Sequence, residues 1–142
     1  MTGDPAPAGR GWLASAAVSA PIRVLIADDT AHIRGMVRTM LELAGFDVVA
    51  DVATGGEVTA LLEGGLEADV LVLDDRMPDL DGIETTRQVL ATHPDQVVLL
   101  YTAFPHAALE QEASAAGVTA VLGKVDGLES LEREINRHAG SG

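Results

Sequence analysis

Ile22-Arg23-Val24-Leu25-Ile26-Ala27-Asp28-Asp29 decides how the chain is read: a short, mostly aliphatic run that stops on two adjacent acids. It lacks the polar alternation of a strand with one wet face, so it reads as a strand buried on both sides, as in a parallel sheet. Val48–Val52, Val70–Leu73, Val97–Tyr101 and Val118–Leu122 have the same character. Between these runs the spacing turns helical. Ile33, Met36, Val37, Met40, Leu41 and Ala44 form one stripe, Val58, Leu61 and Leu62 a second, and Leu128, Leu131 and Ile135 a third.

Punctuation agrees with these limits. Gly45 is placed to end the first helix, Pro94 closes the third and Pro105 opens the fourth. Strand and helix alternating five times predict an α/β domain with right-handed crossovers and helices on both faces of a parallel sheet.

The totals bound the rest. A chain of 142 residues that is 47% apolar and 22% charged suits one ordered domain rather than a disordered segment. No apolar run reaches the roughly 20 residues of a membrane span. The absence of cysteine excludes disulfides, thiolate metal sites and a cysteine nucleophile. His32, His93, His106 and His138 are too scattered for a metal motif. All of the net charge of −13 falls within residues 21–142, where 8 Arg/Lys face 21 Asp/Glu. That balance repels phosphate backbones, so this domain is not expected to bind nucleic acid. Residues 1–20, rich in Gly, Pro, Ala and Ser, read as a flexible tail ahead of a domain over 21–142, rather than as an export signal.

In an open α/β sheet the ligand site lies beyond the carboxyl ends of the strands. The first strand ends in Asp28-Asp29, the third in Asp74-Asp75, the fourth in Tyr101-Thr102-Ala103 and the fifth in Gly123-Lys124. If the first and third strands are neighbours, Asp28, Asp29 and Asp74 converge. Two carboxylates about 4 Å apart repel by roughly 4 kcal/mol at an effective dielectric near 20, so such a trio calls for a counter-charge. Oxygen-only donors point to Mg²⁺. Lys124, the only lysine, supplies a compact cation, and Thr102 a hydroxyl donor. An aspartate nucleophile, a metal, a cation and a hydroxyl together make a phosphoryl-transfer site. Each residue alone has a plainer reading. Asp28 or Asp29 could cap the helix that starts near Thr30, Asp74 through Asp81 could be a solvated loop, Thr102 a strand threonine and Lys124 a surface lysine. Their collection at one sheet edge favours the site.

These residues resemble the receiver domain of response regulators, over about Ile22 to Ala139. The likeness rests on Val24-Leu25-Ile26-Ala27-Asp28-Asp29, on Leu73-Asp74-Asp75-Arg76-Met77-Pro78-Asp79-Leu80-Asp81-Gly82, on Thr102-Ala103 and on Lys124. The chain looks chemotaxis-regulator-like, and its wording is closest to receivers that often precede a helix-turn-helix output domain. The resemblance implies a doubly wound, flavodoxin-like fold with strand order 2-1-3-4-5. It implies a cytoplasmic phosphoacceptor in a two-component system rather than an enzyme. Asp74 would take a phosphoryl group from a sensor histidine kinase or phosphotransfer protein. Asp28, Asp29, Asp74 and the backbone carbonyl of Arg76 would hold Mg²⁺, and Thr102 and Lys124 would read the phosphate. A homodimer is possible in such a family.

Three positions depart from the family pattern. Val121 stands where many receivers carry a switching aromatic, Val125 replaces a frequent proline after Lys124, and Asp75 is an acid where an apolar residue is usual. Those departures keep a second reading open: a receiver-like interaction module regulated without phosphorylation. A haloacid-dehalogenase-type phosphatase needs Asp-x-Asp directly after the first strand, whereas Asp28 and Asp29 are adjacent. An EF-hand with Gly82 at its sixth position would begin at Met77, which offers no oxygen. The chain leaves no room for an output domain after its last helix, as expected of a stand-alone regulator or of a receiver taken from a longer protein.

Overall fold

The computed structural model describes residues 20–139, so the tail expected over 1–20 lies, Ala20 apart, outside the described residues. Five strands, β1 (Arg23–Ala27), β2 (Asp47–Val52), β3 (Val70–Leu73), β4 (Val97–Thr102) and β5 (Ala120–Gly123), alternate with α1 (Ala31–Leu43), α2 (Gly55–Glu63), α3 (Gly82–Thr92), α4 (Ala107–Ala116) and α5 (Leu128–Ala139). A single 3₁₀ turn, Lys124–Asp126, joins β5 to α5. All pairings are parallel and the strand order is 2-1-3-4-5. This is the doubly wound, flavodoxin-like arrangement that the resemblance implied.

Strand residues alternate between two cores because successive side chains point to opposite faces. Val24, Ile26, Val70, Val72, Leu99 and Tyr101 pack with Val37 and Leu41 of α1 and Leu131 and Ile135 of α5. Leu25, Ala27, Leu71, Leu73, Val98 and Leu100 pack against α2, α3 and α4 through Val58, Leu62, Ile83, Val89, Leu109 and Ala113. Both faces of the central strands are covered, which is why their sequences are aliphatic without interruption.

Details of the sequence reading shift here. Only Val37 and Leu41 of the first stripe are buried, whereas Met36 and Met40 are exposed. One helix meets the sheet along a narrower arc than six apolar positions can fill. The last strand starts at Ala120 rather than Val118, because Gly117 ends α4 at φ +100° and the Val118 N–H still donates to the Ala113 carbonyl. Pro105 does not open α4. His106 is its N-cap, with Nδ1 accepting from the Leu109 N–H at 3.2 Å. Gly45 does follow α1, at φ +97°, a left-handed conformation that a side chain would resist.

Candidate functional site

Strand register brings the acids together. Ala27 pairs with Leu73, so the residues that follow, Asp28 and Asp74, leave the sheet side by side. Their backbones are pinned: the Asp28 N–H donates to the Val52 carbonyl at 3.0 Å and the Asp74 N–H to the Ala27 carbonyl at 2.9 Å. Asp28, Asp29 and Asp74 each present a carboxylate oxygen within 4.8 Å of the others. Neither Asp28 nor Asp29 caps α1. Thr30 is the N-cap residue without a side-chain cap bond, and Asp28 instead accepts from the Thr30 N–H at 2.9 Å, shaping the loop.

Lys124 reaches this trio from the other side. Thr102 pairs with Gly123 across β4 and β5, so Lys124 emerges two strands away from Asp74 and spans back across the edge. Its Nζ lies 2.8 Å from Asp28 Oδ2 and 3.3 Å from Asp74 Oδ2. Burial disfavours the ammonium, but Asp28 and Asp74 outweigh it and hold Lys124 above its ordinary range. Asp74 is raised as well, which for an acid disfavours the charged form. Burial is the main cause and the Asp28 carboxylate adds to it; Lys124 opposes them, and the acid is pushed up to about 6. Such a value belongs to a carboxylate drawn out of water, a cost that the neighbouring ammonium offsets only in part.

The donor set suits Mg²⁺: three carboxylates in reach of one another, no nitrogen or sulfur ligand, and one exposed member, Asp29, through which the site meets solvent. Arg76 lies in the loop two residues past Asp74, with its side chain exposed.

Thr102 is at the end of β4 as expected and is buried, yet its hydroxyl does not turn to Asp74. It donates to Asp75 Oδ1 at 2.9 Å and accepts from the Phe104 N–H at 3.2 Å. Of the two nearby aromatics, Tyr101 is committed to the core with Lys124 Nζ 6.0 Å from its ring centroid, and Phe104 is 77% exposed. Val121 is half-buried against the core beneath α4, and the peptide bonds of the described residues are all trans.

Two contributors escaped the sequence reading. Arg34 donates to the Asp28 backbone carbonyl at 2.6 Å and, through Nε, to Asp51 Oδ1 at 3.0 Å, tying the first acidic loop to the end of β2. Asp79, assigned no role of its own from the sequence, accepts from the Gly55 and Gly56 N–H groups at 3.0 and 2.8 Å. It therefore fastens the loop after Asp74 to the first turn of α2, where a carboxylate satisfies otherwise unpaired amides. An arginine one helical turn into α1, and an acid facing a Gly-Gly helix start, were the only signals available.

Comparison with known proteins agrees with this geometry. Residues 24–136 match the response regulator receiver domain family. The response regulator GacA from Pseudomonas protegens is 33% identical over 115 residues, covering 80% of this chain and 54% of that protein. The chemotaxis protein CheY from Thermotoga maritima is 30% identical over 95 residues, covering 67% of this chain and 78% of that one. A DNA-binding response regulator of the LuxR family from Staphylococcus aureus superposes with a TM-score of 0.77 at 26% identity, over 83% of this chain and 98% of the other. The chain spans about half the length of the GacA regulators it matches. Among the described residues, no helix is long and apolar enough to cross a membrane. With strand order, acidic trio and family match all converging on the same edge of the sheet, this chain belongs to the response regulator receiver domains.

Proposed function

We propose that residues 21–142 form a phosphoaccepting switch in which Asp74 takes a phosphoryl group from the phosphohistidine of a sensor kinase or phosphotransfer protein. An Asp74 carboxylate oxygen attacks phosphorus in line, the P–N bond breaks, and the imidazole leaves with that electron pair and takes up a proton. Asp28, Asp29, Asp74 and the Arg76 carbonyl are the residues that would hold Mg²⁺, which when bound offsets the charge crowding at the acceptor. Lys124 is within one hydrogen bond of the Asp74 carboxylate and is suited to a phosphoryl oxygen there, with Thr102 as the second donor. The acyl phosphate then hydrolyses slowly, and the protein acts as a regulator rather than a turnover enzyme. Converting the Asp74 carboxylate to an acyl phosphate exchanges one negative charge for about two and adds phosphoryl oxygens as acceptors, enough to redraw contacts around Thr102 and Lys124 and to change the surface built by β4, α4 and β5.

The observation that carries this reading is a half-buried aspartate at a sheet edge, flanked by two more acids and held by the chain's only lysine. Its test is direct. Incubated with acetyl phosphate and Mg²⁺, the protein gains the mass of one phosphoryl group, and Asp74→Asn folds but gains nothing. Equal labelling of Asp74→Asn overturns the assignment, and no labelling of the wild type favours a module regulated without phosphorylation.

A further inference from the structure

We propose that Asp75 is a positioning residue that latches Thr102 in the unphosphorylated protein, so that breaking the Asp75–Thr102 hydrogen bond is a step of switching. The inference rests on the reading of Asp74 as phosphoacceptor. A threonine hydroxyl carries one proton, and here that proton is already given to Asp75 Oδ1 at 2.9 Å. Thr102 can serve a phosphoryl oxygen only by giving up Asp75. The bond it gives up is to a carboxylate and is partly buried, which makes it stronger than an ordinary hydroxyl contact. Asp75 is also held at its root, since its carbonyl accepts from the Gly82 N–H at 3.1 Å at the start of α3. The backbone from which the carboxylate swings is therefore fixed. An apolar residue, usual at this position in the family, could form no such latch.

Charge supplies the release. A phosphoryl group on Asp74 places strong negative charge beside the Asp75 carboxylate, while its oxygens compete for the same hydroxyl proton. Repulsion and competition act in one direction. Because the Phe104 N–H donates to Thr102 Oγ1 at 3.2 Å, movement of Thr102 pulls on the loop that carries the exposed Phe104 ring. That path needs no aromatic at Val121.

Beryllofluoride with Mg²⁺, a stable mimic of the phosphoryl group, gives the test by calorimetric titration. Asp75→Ala binds it roughly tenfold more tightly than wild type, the scale of one hydrogen bond to a charged group. Most of that gain disappears when Thr102→Val is also present, leaving only the relief of charge repulsion. Asp75→Asn, which keeps an acceptor oxygen but loses the charge, falls between wild type and Asp75→Ala. In the protein without any phosphoryl mimic, the Phe104 amide resonance shifts in Asp75→Ala and holds in Asp75→Asn. A gain undiminished by Thr102→Val, an Asp75→Asn protein that matches Asp75→Ala, or an unmoved Phe104 amide each overturns the latch. Wild type that fails to bind beryllofluoride overturns the phosphoacceptor reading itself, whereas binding without any gain in Asp75→Ala overturns the latch alone.

Discussion

The ammonium of Lys124 lies 2.8 Å from Asp28, a residue 96 positions earlier in the chain, and it also contacts Asp74. The only lysine therefore draws on two of the carboxylates that would hold a divalent cation. A bound cation would compete with the ammonium for these acids and be repelled by it. Lys124→Ala accordingly tightens Mg²⁺ binding, by about tenfold if 1.4 kcal/mol of repulsion is relieved. Titration calorimetry in low salt measures this, and unchanged or weaker binding means that the ammonium does not compete for the acids.

Proton linkage gives a second expectation, for the metal-free protein in chelator. Asp74 is raised from 3.8 to about 6 by burial and by Asp28, so the folded protein binds its proton more tightly than the unfolded chain. The stabilisation from that proton is fully present below pH 3.8 and is lost as pH rises through about 6. Asp74→Asn lacks the penalty. Its stability advantage over wild type should grow across this window toward an upper limit of about 3 kcal/mol. Chemical denaturation at a series of pH values checks it, and a constant advantage contradicts the buried-charge account.

Asp79 is expected to matter more than a loop acid should. Its carboxylate receives two amides of α2, and Asp79→Ala leaves both unpaired at a helix start. A lower midpoint of denaturant unfolding follows, the direction expected when a helix start loses a capping carboxylate. Hydrogen exchange should speed up at Gly55 and Gly56 before it does in the central strands. A variant as stable as wild type, with those amides still protected, would show that the contact is dispensable.

Gly82 is fixed by close approach rather than by an unusual backbone angle. A Cβ there would stand 2.4 Å from the Asp74 carbonyl oxygen and 2.5 Å from Leu100 Cδ1. The leucine can shift, but the backbone carbonyl next to the acceptor cannot do so cheaply. Gly82→Ala should cost about 1–3 kcal/mol of stability, measured by denaturant unfolding, and slow phosphorylation by acetyl phosphate. Wild-type stability in this variant would mean that the start of α3 can retreat.

What the amino-acid order decided by itself was the architecture and which polar residues gather at the carboxyl edge of the sheet. Uninterrupted aliphatic runs such as Val70–Leu73 must be strands covered on both faces, and polar residues at the ends of such runs can only gather at the sheet's carboxyl edge. Asp28, Asp29, Asp74, Thr102 and Lys124 were legible for that reason. Tertiary structure alone decided the partners. Whether Thr102 faces Asp74 or Asp75, whether Asp79 is solvated or caps α2, and which apolar residues of α1 stay exposed depend on strand register and rotamers to within an ångström. A hydrogen bond is lost over such a distance, and no periodicity in the sequence carries information that fine.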